Sequence, residues 1–324
     1  MTEDRSAEAG TSGTSIAALS PGSPLQQVVR AFEVYMKNEG MSIHTIRAFR
    51  SDLRLLGNYL GHDQPIGQIA TSDLNEFLDY LLHERDKPCS PKSYARRVTT
   101  LKVLFKWLHK AGVLPEDSAA PLIQRSVGTP LPEILTDEEI ERALNVTRAM
   151  WAAEKPDPRP HLLMRLLLDT AMKKSECVSI RLEHIHREGS DGPFVQIRYD
   201  NPARKVKERK LALSPETVEA LDDYLEVYEP EEVLFPCTAR NLEYVLDAVA
   251  EQAEPEWEKK KGISFQMLRW TAALHDFQNG MDERRIRQKL GISDVTWQDT
   301  RKKLEALASD DEDDHPQGGK GDTR

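Results

Sequence analysis

Residues 166–182 read Leu166-Leu-Leu-Asp-Thr-Ala-Met-Lys-Lys-Ser-Glu-Cys-Val-Ser-Ile-Arg-Leu182. The leucine run continues a helical pattern that starts at His161 and predicts a helix to Thr170, followed by a second helical stretch near Ser175–Leu182. Lys173 and Glu176 stand at i and i+3, the spacing of a helix-surface ion pair. Cys177 reads as a small core residue. Downstream the period changes. Pro193–Tyr199 alternates like a strand, Asp200-Asn-Pro202 is turn chemistry, and Lys205–Leu213 alternates again. This predicts one hairpin inside an otherwise helical domain. His184 and His186 read as loop or strand-edge residues, not as metal ligands.

Outward from this stretch, helices are expected at Pro215–Tyr228, Ala239–Gln252, Phe265–Gln278, Glu283–Leu290 and Asp294–Ala306, with stops at Asn279-Gly280 and Gly291. On the other side, Thr136-Asp-Glu-Glu139 reads as a capping box that opens the unit. Residues 113–132 hold Pro115, Pro121, Pro130 and Pro132 and read as a linker. Before it, four apolar stripes at helical spacing predict a small bundle. They are Val28, Val29, Phe32 and Met36; Ile46 to Leu60; Leu74, Phe77 and Leu81; and Val98 to Leu108. The domain plan is therefore a disordered tail over 1–24, a helical domain over 25–112, the linker, a mixed domain over 133–308, and an acidic disordered tail over 309–324.

The chain has 324 residues and a net charge of −10. No run approaches the roughly 20 apolar residues of a membrane span, and the polar N-terminus lacks the apolar stretch of a secretory signal. Three scattered cysteines show no ligand spacing, which points to a reducing compartment with neither disulfides nor a metal site. No cofactor is expected. The acidity lies in the tails and the C-terminal two-thirds: residues 25–125 carry +3 and residues 126–308 carry −7. For a polyanionic partner the local field matters more than the total.

That local field is strongest from Lys87 to Lys110, where seven positive residues stand without an acid. On a helix, Lys92, Arg96, Lys102, Lys106 and Lys110 fall within an arc of roughly 120°, opposite the apolar face, with Arg97 beside them. These six are the candidate DNA contacts. A merely solvated face is the alternative reading.

Two segments resemble the tyrosine recombinases of the phage-integrase and Xer type. Residues 166–182 are similar to the family's leucine-rich helix ending in Thr-Gly-Leu-Arg-x-Ser-Glu. Met267-Leu-Arg-Trp-Thr-Ala-Ala-Leu-His275, through Gln288-Lys-Leu-Gly291, is similar to His-x-Leu-Arg-His and the following Leu-Gly-His. The resemblance spans the chain from the first helix to about Ala306. It implies a mainly α fold with a small β component: an N-terminal SAM-like core-binding bundle and a C-terminal mixed α+β catalytic-type domain.

The resemblance also implies metal-free attack of a tyrosine hydroxyl on a DNA phosphate, with two arginines, a hairpin lysine and histidines around it. This chain departs from that set. Lys173 stands at the first arginine and lacks its bidentate fork. Arg204, Lys205 and Lys207 fall near the hairpin lysine. Gln266 and Ile292 replace histidines, Arg269 is kept, and the count from Ile292 to the nucleophile lands on Arg301. By itself Arg269 also reads as a structural ion pair, and Arg301-Lys302-Lys303 as a solvated face. The last tyrosine is Tyr244.

The expectation is a protein that is not an enzyme but binds double-stranded DNA as a two-domain clamp, with Lys173, Arg204, Arg269 and Arg301 pointing to one anion pocket. Its role would be structural, architectural or regulatory, in the cytoplasm and on the nucleoid. Partners would be DNA, a second copy, other chromosome-associated proteins or an active recombinase. The alternatives are a divergent active recombinase and an interaction factor that has lost DNA binding. The acidic run at 310–314 is expected to act as a flexible mask over the cations near Arg301.

Overall fold

The computed structural model describes residues 16–86, 88–123, 130–188, 192–253 and 262–314. The chain divides into two compact units, Met1–Pro130 and Leu131–Arg324.

The first unit is a four-helix bundle of α1 (Leu25–Asn38), α2 (Ile43–Leu60), α3 (Thr71–His83) and α4 (Pro91–Lys110). Ser42 and Ser90 cap α2 and α4 through their hydroxyls, and proline fills the first position of α4, where a missing N–H costs nothing. Phe32, Leu53, Phe77, Leu104 and Phe105 meet in the core. Both flanks differ from the expected plan. Residues 16–24, read as part of a disordered tail, are held in place. Gly67 N–H donates to Pro21 O, Ile66 N–H to Ser23 O, and Ile16 and Leu19 pack on the core. Likewise Val113, Leu114, Ala119 and Leu122 of the expected linker are buried in this core. A proline-rich sequence signals an interrupted backbone, not an unpacked one.

The second unit is built around α6 (Arg159–Thr170), which packs against α5 (Asp137–Trp151), α8 (Pro215–Tyr228), α9 (Ala239–Ala253) and α10 (Phe265–Gln278). The expected capping box at Thr136 and Glu139 is present. The predicted hairpin is a three-stranded antiparallel sheet of β1 (Ile185–His186), β2 (Phe194–Ile197) and β3 (Arg209–Ala212). β1 has two residues, too few to show an alternation. Val195 pairs with Leu211, and these two and Ile197 are buried. Residues 202–207 form a 3₁₀ turn, so Lys205–Lys207, expected to begin the second strand, lie before it.

A short α7 (Lys174–Cys177), α11 (Glu283–Leu290) and α12 (Asp294–Asp314) complete the unit. α12 runs on through the acidic stretch read as a disordered tail. Its backbone is helical to Asp314, not the flexible segment expected there.

Ala171 ends α6 in the left-handed region at φ 48°, where the resembling pattern has glycine. A Cβ there costs about 1 kcal/mol. Ala171→Gly should stabilise the second unit by up to about 1 kcal/mol, read from its denaturation midpoint. Its carbonyl, which accepts from Arg269, stays in place.

Candidate nucleic-acid interface

The turn from α6 into α7 places Lys173 at the start of α7, where its amide donates to Glu176 Oε2 at 2.8 Å. Glu176 is buried, so the pair read as a helix-surface contact is half inside the protein. β3 supplies the reason. Arg209 lays its guanidinium across the carboxylate, with Nη2 to Oε2 at 2.8 Å and Nη1 to Oε1 at 3.1 Å. The Tyr199 hydroxyl donates to the same Oε1. Burial alone would raise the Glu176 carboxyl. The hydrogen bonds and charge of Arg209, with the Lys173 amide and Tyr199 hydroxyl, outweigh it and hold the group at about 2.

Arg269, on α10, is half-buried, and desolvation lowers its guanidinium to about 10 against the pull of Glu176. It donates to Ala171 O and, at 2.5 Å, to Leu290 O. Lys173 Nζ reaches Gly291 O at 3.1 Å, and Glu176 at 3.5 Å. Burial lowers its ammonium too, Glu176 opposes the shift, and Arg269, Arg209 and Lys207 add to it.

Of the four cations expected in one pocket, the structure brings together Lys173 and Arg269 and leaves out two. Arg204 is exposed on the 3₁₀ turn, as are Lys205 and Lys207. Only Lys207 is tied to the cluster, its carbonyl accepting from Arg209 at 3.2 Å. Arg301 is exposed on α12 and pairs with Glu283 and Glu305 at 3.2 and 2.8 Å, because α12 turns its buried Thr300 and Leu304 inward instead. Gln266, Arg269, Ile292 and Thr300 do line one cavity of about 210 Å³, and the Thr300 hydroxyl donates to Thr296 O.

Arg209 was the residue missed. Strand alternation places it on the same side as buried Leu211 and Leu213, a legible signal.

On the first unit, Lys92, Lys106 and Lys110 are exposed along α4, and Lys102 is half-buried. Arg96 and Arg97 belong to a different group. Asp52 of α2 is buried, and Arg96 binds it bidentately at 2.6 and 2.9 Å. Thr100 donates to it at 3.0 Å, and buried Arg97 approaches at 3.5 Å while reaching Cys89. Arg97 is thus an internal counter-ion, withdrawn from the outer face where it was expected, and Arg96 divides its exposure with Asp52. Exposed Arg47, Arg50 and Arg54 add a second basic row on α2, a helical spacing (i, i+3, i+7) that also stands in the sequence.

Residues 29–112 match the model of the phage integrase N-terminal SAM-like domain, and residues 133–298 that of the phage integrase family. Among curated relatives, tyrosine recombinase XerD of Agrobacterium fabrum is 25% identical over 292 residues, covering 82% of this chain and 85% of its own. That of Rhizobium meliloti is 26% identical, covering 83% and 88%. Among solved structures, a lambda integrase dimer bound to a COC' core site has a TM-score of 0.68 at 16% identity, covering 93% of this chain and 99% of that one. The XerH site-specific recombinase bound to a difH substrate has 0.67 at 16%, covering 92% and 91%.

These relatives correct one expectation. The chain was read as no enzyme because no tyrosine follows Tyr244. Its curated relatives, aligned over four-fifths of its length, bear the name of an enzyme, and that reading is withdrawn. With a SAM-like helical bundle, a mixed domain of matching fold and family models covering both, the chain belongs to the phage integrase family of tyrosine recombinases.

Proposed function

We propose that this chain binds duplex DNA through both of its units and serves in DNA recombination. The observation that carries the reading is that the first unit exposes two basic rows, Lys92, Lys106 and Lys110 on α4 and Arg47, Arg50 and Arg54 on α2. On one bundle these side chains suit phosphate contacts, which give affinity without sequence information. The second unit would add the cations Lys173, Arg209 and Arg269, with Lys207 tied to them through its carbonyl. The solved relatives bound to DNA support the same reading, and DNA-bound partners would be a second copy or another recombinase. The −7 balance of residues 126–308 favours a second reading, in which the chain binds protein and not DNA.

One experiment separates them. Binding to a duplex of arbitrary sequence, followed over a salt series, should weaken steeply, with a log–log slope of roughly −0.9 per phosphate neutralised. Lys106→Glu with Lys110→Glu should weaken binding about ten-fold or more at moderate salt on every sequence alike, and flatten the slope by about 2. A flat salt response of the unaltered chain would leave the protein-binding reading. Strand cleavage is followed separately, as covalent protein–DNA adducts on nicked duplexes.

A further inference from the structure

Three successive main-chain carbonyls close α11, and each is held by a different cation. Arg209 Nε donates to Lys289 O at 2.8 Å, Arg269 Nη2 to Leu290 O at 2.5 Å, and Lys173 Nζ to Gly291 O at 3.1 Å. The donors come from three places: β3, α10 and the turn before α7. Carbonyls at a helix C-terminus lack intrahelical partners and form the negative pole of the helix. The end of α11 therefore presents to these cations what a phosphate would present, a close group of oxygens bearing negative charge.

The element that does this is weakly held. α11 has eight residues, shorter than a helix that stands alone, and only Ile286 and Leu290 are buried on it. Polar contacts supply the rest of its hold, among them the three cations at its carbonyls, Lys289 Nζ on Asp276 Oδ2 at 2.7 Å, and Trp297 Nε1 on Glu283 Oε2 at 3.1 Å. Elements with few buried apolar contacts are those that open first.

We infer that the C-terminal turn of α11 is a positioning element that gathers Lys173, Arg209 and Arg269 and competes with DNA phosphate for them, so that phosphate engagement releases the turn. The inference rests on the DNA-binding reading above. Before DNA arrives, the turn keeps three like charges together at neighbouring acceptors. When a phosphate takes their hydrogen bonds, the carbonyls lose their donors and the turn from α11 into α12 is freed.

Gly291 gives a way to test this without removing a cation. It is left-handed, at φ 57°, and a Cβ built on it would lie 2.7 Å from Arg209 Nη1 and 2.8 Å from its Cζ. Gly291→Ala therefore pushes Arg209 away from α11 and weakens the turn. In the full chain, on an arbitrary duplex over a salt series, this variant should bind about five-fold tighter or more at low salt. Its slope should steepen by about 0.9 for each phosphate gained. Loss of packing alone would not steepen the slope. Equal or weaker binding by a folded G291A chain overturns the inference and leaves the DNA-binding reading intact. Absence of binding by the unaltered chain overturns both.

A second measurement needs no variant. The amides of Gly291 and Ile292, which donate to Gln288 O and Arg287 O, should exchange hydrogen faster when the unaltered chain is saturated with duplex. Unchanged or slower exchange there is the opposing result.

Discussion

Replacing Glu176 by glutamine will lower the melting temperature of the second unit, and the loss will fade as the solution is made acid. The carboxylate is buried under Arg209 and holds a pKa of about 2 against an ordinary 4.5. A carboxylate depressed in the folded state binds its proton more readily when unfolded. Its contribution is thus present in full above pH 4.5 and is lost as pH falls through about 2. The 2.5-unit difference corresponds to about 3 kcal/mol. That agrees with the roughly 3–5 kcal/mol lost when one partner of a buried pair is removed, here the carboxylate that Arg209 binds and Arg269 faces. Denaturation of both proteins between pH 7 and pH 3 should show their curves converging. A gap that stays constant with pH would mean that Glu176 stabilises through packing and not through charge.

Asp52→Ala should be as damaging to the first unit. The carboxylate accepts from Arg96 twice and from Thr100, and it faces buried Arg97. Removing it leaves the Arg97 guanidinium in the bundle without a counter-charge, at a cost of about 3–5 kcal/mol. For a unit of this size that is a fall of roughly 10 °C or more in melting temperature. A differential scan resolving the two units should show this change in one transition only. A shift of under 2 °C would show that water reaches the site and screens Arg97.

The architecture was legible because its signals are local. The hydroxyl caps at Ser42 and Ser90, the box at Thr136 and the leucine run before Lys173 each announce an element within a few residues. The site is harder because its partners are distant. Asp52 and Arg96 lie on helices 44 residues apart, so α4 read alone offers Arg96 and Arg97 as surface cations. Glu176 was read as exposed because its neighbour in sequence is Lys173, while its stronger partner, Arg209, arrives from β3. Counting along a motif placed Arg301 in the pocket, but the direction of a side chain on α12 follows which residues anchor the helix, here Thr300 and Leu304. The C-terminal boundary failed for a related reason. Acidic composition signals poor packing, yet the helix anchored by Leu304 and Leu307 carries its backbone on to Asp314.

The Asp52 pairing also acts as a ruler. By tying α2 to α4 from within, it fixes the distance between the two basic rows that those helices carry. If the chain binds DNA as proposed, a duplex touching both rows would meet charges at a set separation. Base steps whose groove width suits that spacing would then be bound with the least distortion.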